Sequence, residues 1–177
     1  MAQMRRKGLR VFGHPVHPML TAFPIALWVT SLLWDLLGVG LANSVWWAIG
    51  FWSVATGVAM ALLVAATGFV DYVGLPSGDP AEAVATRHLI VMLSATTAFV
   101  GNLLAQGGPG APTGLRLVIT VALAVLGTAF LVFGGWLGGE LVFRLGVGSD
   151  RANLASADVE RVDDRGEVER VHSSVRG

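Results

Sequence analysis

The sequence predicts an all-α integral membrane protein, folded as a bundle of four transmembrane helices, and three observations support this fold class. Charged residues make up only 14% of the 177-residue chain, whereas a soluble domain carries about 25%. The mean hydropathy is +0.66, which is typical of a chain that contacts lipid. Four windows of roughly 20 or more apolar residues are each long enough to cross a bilayer.

The four predicted spans are Pro18 to Leu41, Val45 to Tyr72, Ala81 to Ala105, and Leu115 to Leu145. The first apolar run is longer than the h-region of a signal peptide, about 7–15 residues, so we expect it to remain as an anchor. Pro18 is predicted to be its first helical residue, with residues 14–17 outside the helix. Asp79 as N-cap, Pro80 as first residue and Glu82 predict the start of the third helix.

Three segments follow from the composition: a basic N-terminal segment at 1–12, the membrane domain at 13–148, and a charged tail at 149–177. The tail has no aromatic residue and few large aliphatic ones, so it is predicted to be disordered. It carries a near repeat, Asp158 to Val162 and Glu167 to Val171. This repeat could form a small hairpin or bind a cytoplasmic partner, and a solvated tail is the favoured explanation.

Basic residues predict the orientation of the chain. They concentrate at one membrane face: Arg5, Arg6, Lys7, Arg10, Arg87, Arg144, Arg151 and the tail arginines. Only Arg116 lies at the opposite face. The positive-inside rule therefore predicts a multi-pass protein of the inner membrane with both termini in the cytoplasm.

Ionisable side chains from four separate stretches are predicted to meet at the cytoplasmic face, because the helices alternate in direction. Such groups are costly at membrane depth and usually face the bundle interior, where they pair or carry function. The candidate metal ligands are His14, His17, Asp71, His88 and Glu140. Arg87 and Arg144 are candidate cofactor-binding residues at the same face.

This cluster predicts a transition-metal site for Zn, Fe or Cu, or a haem b site. The chain has no cysteine, so any metal needs His, carboxylate or Met ligands. His17 and His88 could be axial ligands of haem, with Arg87 or Arg144 near the propionates.

Each residue of the cluster also has a simpler explanation. Glu140 and Arg144 are spaced to pair along one helix face, and Asp71 could form a structural ion pair with an arginine. His14 could bind lipid phosphates at the interface, as could His17. His88 could be a buried histidine with its hydrogen bonds satisfied.

Two further features concern the opposite face and the fourth helix. Asp35 lies roughly 25 Å along the first helix, where Arg116 is its predicted partner in a structural ion pair; the alternative is one half of a proton path. Glycines 134, 135, 138 and 139 form two overlapping GxxxG pairs. Packing within the bundle is the favoured explanation of these pairs, and homo-oligomerisation through this helix is the alternative.

Several motifs resemble a known family. They are Gly13-His-Pro-Val-His-Pro-Met-Leu20, Phe23-Pro-Ile25, Thr67-Gly-Phe-Val-Asp71, Arg87-His88, and Gly134-Gly-Trp-Leu-Gly-Gly-Glu-Leu-Val142. In this combination they are similar to the uncharacterised bacterial membrane family filed as domain of unknown function 2231. The similarity covers Gly13 to Val147. It implies four helices and the position of the cluster, and it supplies no reaction.

Three functions therefore remain open: a cofactor-binding electron-transfer protein, a small proton-coupled transporter, and an accessory or scaffold subunit of the membrane. The sequence contains no recognisable nucleophile with its base, no phosphate-binding loop and no nucleic-acid motif. An enzyme is therefore not favoured, and nucleic acid is not an expected partner.

Overall fold

The computed structural model describes residues 9–148, which form four long helices. The helices are α1 (Val16–Leu41), α2 (Ser44–Val73), α3 (Pro80–Gln106) and α4 (Leu115–Gly139), and α4 continues into a π-helical turn at Glu140–Arg144. All four are long and apolar enough to span a membrane. The predicted fold class is thus confirmed, while the predicted tail at 149–177 and most of the basic N-terminal segment lie outside the described residues.

The start of α1 differs from the prediction. The helix begins at Val16, so His17 is its second residue and Pro18 its third. Because the first four N–H groups of a helix have no partner within it, a proline at the third position removes no hydrogen bond. Two short strands, β1 (Arg10–Val11) and β2 (His14–Pro15), pair antiparallel before the helix.

The four helices are arranged as two helical hairpins. Helix α1 packs mainly on α2, and α3 packs mainly on α4, while contacts between the hairpins are fewer. Helices α1 and α3 therefore run in the same direction. The bundle end at which they begin is called the histidine end, because it carries His17 and His88, and the opposite end is called the Arg116 end.

A stacked aromatic pair joins the hairpins in the centre of the bundle. Trp28 of α1 and Phe99 of α3 are fully buried, and their ring centroids are 4.5 Å apart. Trp28 packs against Gly57 of α2 and Phe99 against Gly127 of α4, where a Cβ atom would overlap the ring. The two hairpins thus repeat one packing pattern, an aromatic ring against a glycine.

Candidate functional site

His17 is held by the neighbouring helix of its own hairpin. Its Nδ1 lies 3.0 Å from the carbonyl oxygen of Val64 and 3.5 Å from the Thr67 hydroxyl. A carbonyl oxygen only accepts hydrogen bonds, so Nδ1 carries the proton and donates it to Val64. The imidazole packs against Gly68, where a Cβ atom would lie 2.6 Å from His17 Cε1.

His88 is held in the same way in the second hairpin. Its Nδ1 lies 2.9 Å from the carbonyl oxygen of Gly134 in α4, and this nitrogen is again the donor. The ring packs against Gly138, where a Cβ atom would lie 3.2 Å from His88 Cε1. The carbonyl and the glycine are one helical turn apart, as Val64 and Gly68 are.

These matching bonds leave the second ring nitrogen of each histidine available. Within residues 9–148, neither His17 Nε2 nor His88 Nε2 has a hydrogen-bond partner. Histidines that bind metals almost always donate the other ring N–H to a carbonyl or carboxylate, which fixes the tautomer and the ring orientation. Both histidines make such a bond to a carbonyl.

Two other residues of the predicted cluster bind the backbone near the N-terminus. His14 lies in β2 and is exposed, with Nδ1 3.0 Å from the Phe12 carbonyl oxygen. The Leu9 N–H donates to Asp71 Oδ1 over 2.7 Å. Asp71 thereby ties the segment before β1 to the end of α2.

The remaining carboxylate pairs along its own helix. Glu140 accepts a hydrogen bond of 2.8 Å from Arg144 Nη1 in the π-helical turn. This is the i,i+4 pair that the spacing predicts. Arg144 and Arg87 are both exposed at the histidine end.

The structure therefore holds His17 and His88 by equivalent bonds, one in each hairpin, and gives His14, Asp71 and Glu140 other interactions. The described part of the chain contains no group of three or more His, Asp or Glu side chains that could hold a metal ion. A wider site that adds ligands to His17 and His88 stays a prediction.

The predicted ion pair between Asp35 and Arg116 is not formed. Arg116 donates to the carbonyl oxygens of Ala105 (2.8 Å) and Gln106 (3.2 Å). It thereby satisfies the free carbonyls at the end of α3, a favourable place for a cation. Asp35 is fully buried, and neither carboxylate oxygen has a hydrogen-bond partner in residues 9–148.

The glycines of α4 divide between two faces. Gly134 packs against Met92 and Gly138 against His88, so this pair serves contacts within the bundle. At Gly135 a Cβ atom would have no neighbour within 4 Å, and at Gly139 only Phe143 of the same helix lies near. Packing within the bundle thus explains the pair Gly134 and Gly138. An oligomer formed through Gly135 and Gly139 stays a prediction.

Sequence reasoning did not single out three buried polar residues, Asn102, Gln106 and Thr120. A signal for two of them was present, because Gln106 follows His88 at the same spacing as Asp35 follows His17. Asn102 likewise corresponds to Ser31 in α1. Comparing the two hairpins residue by residue would have found them.

A comparison with protein-family models gives one match. The model described as "Predicted membrane protein (DUF2231)" matches residues 13–151, which include all four helices and both histidines. No curated protein and no solved structure matches this chain significantly.

Proposed function

The chain belongs to the DUF2231 family of predicted membrane proteins, and we propose that it binds one haem b between its two helical hairpins, with His17 and His88 as axial ligands. One observation carries the proposal. Each histidine donates its Nδ1–H to a backbone carbonyl and keeps Nε2 free of protein partners within residues 9–148. This is the state in which an imidazole binds haem iron.

The number of available ligands favours haem over a bare metal ion. A structural Zn site needs four protein ligands and a catalytic one needs three, whereas a haem brings its own four nitrogens and needs only two axial side chains. His17 and His88 supply those two. No third His, Asp or Glu joins them among residues 9–148 in a group that could hold an ion.

The arrangement of the helices also suits a flat ligand. The two histidines belong to different hairpins, and contacts between the hairpins are fewer than contacts inside them. A porphyrin with one ligand from each hairpin would lie along this sparsely packed interface.

The charges at the histidine end suit the propionates of a haem. Arg87 is exposed and has no hydrogen-bond or ion-pair partner within residues 9–148. Arg144 bonds Glu140 through Nη1 only. Propionates directed toward this end would meet these two guanidinium groups, which recognise carboxylates well.

Electron transfer follows from this cofactor. A bound haem would supply one-electron redox chemistry, and His17 and His88 would be the residues that hold it. By the positive-inside rule, the basic residues near the histidine end support a position of the haem at the cytoplasmic face of the inner membrane. The protein would then exchange electrons with a cytoplasmic or membrane partner, which the charged tail could help to recruit.

Absorption spectroscopy tests the proposal. The full chain is purified in mild detergent from cells supplied with a haem precursor, beside the variants His88→Ala and His14→Ala. We expect a Soret band and a reversible redox difference spectrum in the wild type and in His14→Ala, and loss of both in His88→Ala. A folded wild-type protein without haem absorption would refute the proposal.

A further inference from the structure

A second polar region lies in the bundle core beyond the aromatic stack, toward the Arg116 end. Asp35 follows Trp28 by seven residues, and Gln106 follows Phe99 by seven. Seven residues are nearly two full turns, so each residue lies on the same helix face as its aromatic ring. Because α1 and α3 run in the same direction and the two rings stack, Asp35 and Gln106 reach the same depth in the core.

Two more polar side chains belong to this region. Asn102 lies one turn before Gln106, and its Nδ2 donates to the Thr120 carbonyl over 2.8 Å. Gln106 Nε2 donates to the Trp47 carbonyl over 3.1 Å. Both bonds end on carbonyl oxygens, so they fix the orientation of each amide group. The amide oxygens of Asn102 and Gln106 must therefore point elsewhere.

The region contains buried oxygens without hydrogen-bond partners. Five buried side-chain oxygens have no hydrogen-bond partner among the described residues: Asp35 Oδ1 and Oδ2, Asn102 Oδ1, Gln106 Oε1 and Thr120 Oγ1. Asp35, Asn102 and Thr120 are 0% exposed and Gln106 is 5% exposed. An unpaired carboxylate is very unfavourable in such surroundings. The nearest basic side chain toward this end, Arg116, is bonded to backbone carbonyls instead.

We propose that Asp35, Asn102, Gln106 and Thr120 form a binding site for one sodium ion. Hard cations prefer oxygen ligands, and carboxylate, amide and hydroxyl oxygens are suitable ones. A proton on Asp35 and the Thr120 hydroxyl would together supply two donors, whereas a cation bound among the five oxygens would be a partner for all of them. One carboxylate neutralises one positive charge, so a monovalent ion leaves this apolar region without net charge.

Gly50 of α2 makes room for the carboxylate. A Cβ atom there would overlap Asp35 Oδ1. Thr120 stands at the corresponding place of α4, and its backbone carbonyl accepts the hydrogen bond from Asn102 of the same hairpin. The site thus draws its oxygens from α1, α3 and α4, while α2 contributes the space.

Binding of radioactive ²²Na⁺ to the purified full chain tests this site directly. Thermal unfolding is measured in parallel in NaCl and in choline chloride at equal ionic strength. We expect saturable binding of one Na⁺ per chain. The midpoint temperature of unfolding should rise with NaCl concentration but not with choline chloride concentration. The Asp35→Asn variant should lose both effects.

Substitutions at Thr120 provide a matched pair. Thr120→Val keeps the shape and removes Oγ1, and Thr120→Ser keeps the oxygen. If Na⁺ uses this oxygen, Thr120→Val should weaken its binding by about tenfold, the loss of one polar contact, while Thr120→Ser should bind nearly as the wild type does.

Four results would overturn the proposal. One is the absence of ²²Na⁺ binding to folded wild-type protein, and another is equal stabilisation by choline chloride and NaCl. The third is a Thr120→Val variant with unchanged Na⁺ affinity and higher stability, because an oxygen without a ligand is better replaced by a methyl group. Stability that responds to pH but not to Na⁺ would identify the occupant as a proton and likewise overturn it.

Discussion

His17 and His88 occupy equivalent places in the two hairpins, each donating Nδ1–H to a carbonyl of the neighbouring helix and packing against a glycine one turn further on. The same equivalence relates Trp28 to Phe99, each eleven residues after its histidine. The bundle is therefore a repeated hairpin with its two copies facing each other. A cofactor between the histidines would lie where the two copies meet.

Larger side chains at Gly68 and Gly138 should disturb the histidines that these glycines contact. A Cβ atom at Gly68 would lie 2.6 Å from His17, closer than the 3.2 Å between a Cβ at Gly138 and His88. We therefore expect Gly68→Ala to displace the imidazole and reduce haem content strongly, and Gly138→Ala to have a weaker effect. Haem absorbance per protein measures both.

Gly135→Ala is the matched control, because a Cβ atom there has no neighbour within 4 Å. It should keep full haem content and stabilise the helix by up to about 1 kcal/mol. Equal haem content in Gly68→Ala and Gly135→Ala would contradict the ring position described for His17.

The aromatic stack should depend on Gly57 in the same way. A Cβ atom at Gly57 would overlap the Trp28 indole, and overpacking in a core costs roughly 1–3 kcal/mol. Gly57→Ala should lower the unfolding midpoint in detergent, whereas Gly40→Ala, with nothing within 4 Å, should not. If Gly40→Ala lowered the unfolding midpoint and Gly57→Ala left it unchanged, the aromatic stack would be packed differently from this description.

Asp71 should act as an anchor of the N-terminal segment and not as a ligand of the cofactor. Its carboxylate accepts the Leu9 N–H, and removal of such a bond costs roughly 1.5–3 kcal/mol. In Asp71→Ala, hydrogen exchange should accelerate at residues 9–16, with the haem spectrum unchanged. Asp71→Asn retains an acceptor oxygen and should show a smaller change, and haem loss in both variants would assign Asp71 to the site.

The orientation of the bundle is testable with fusions. Both ends of residues 13–148 lie at the histidine end, since four helices return the chain to its starting face. The basic residues there predict a cytoplasmic location. A C-terminal green fluorescent protein should fluoresce, and a C-terminal alkaline phosphatase should be inactive. The reverse pattern would place the histidines at the outer face.

Much of the fold could be predicted from sequence because membrane spans depend on length and apolar composition. The predicted ends lie within two residues of the observed ones, except at the end of the last span, where a π-helical turn completes α4. The pairing of Glu140 with Arg144 was also foreseeable, since it is local to one helix. The start of α1 was predicted at Pro18 instead of Val16, because a proline is tolerated throughout the first turn of a helix.

The interior contacts could not be predicted in the same way. Arg116 bonds the end of α3 instead of Asp35, because the connecting loop, with positive φ at Gly107, Gly108 and Gly114, returns α4 beside those carbonyls. The spacing of Asn102 and Gln106 from His88 marks them as counterparts of Ser31 and Asp35, but their depth relative to α1 follows only from the stack of Trp28 on Phe99.

The content and spin state of haem in the purified protein test the central claim most directly. Haem is quantified as its pyridine complex against protein concentration, and electron paramagnetic resonance is recorded on the oxidised sample. The account predicts one low-spin haem b per chain, lost when either His17 or His88 is replaced by alanine. A haem-free native protein, or a haem that survives both substitutions, would contradict it.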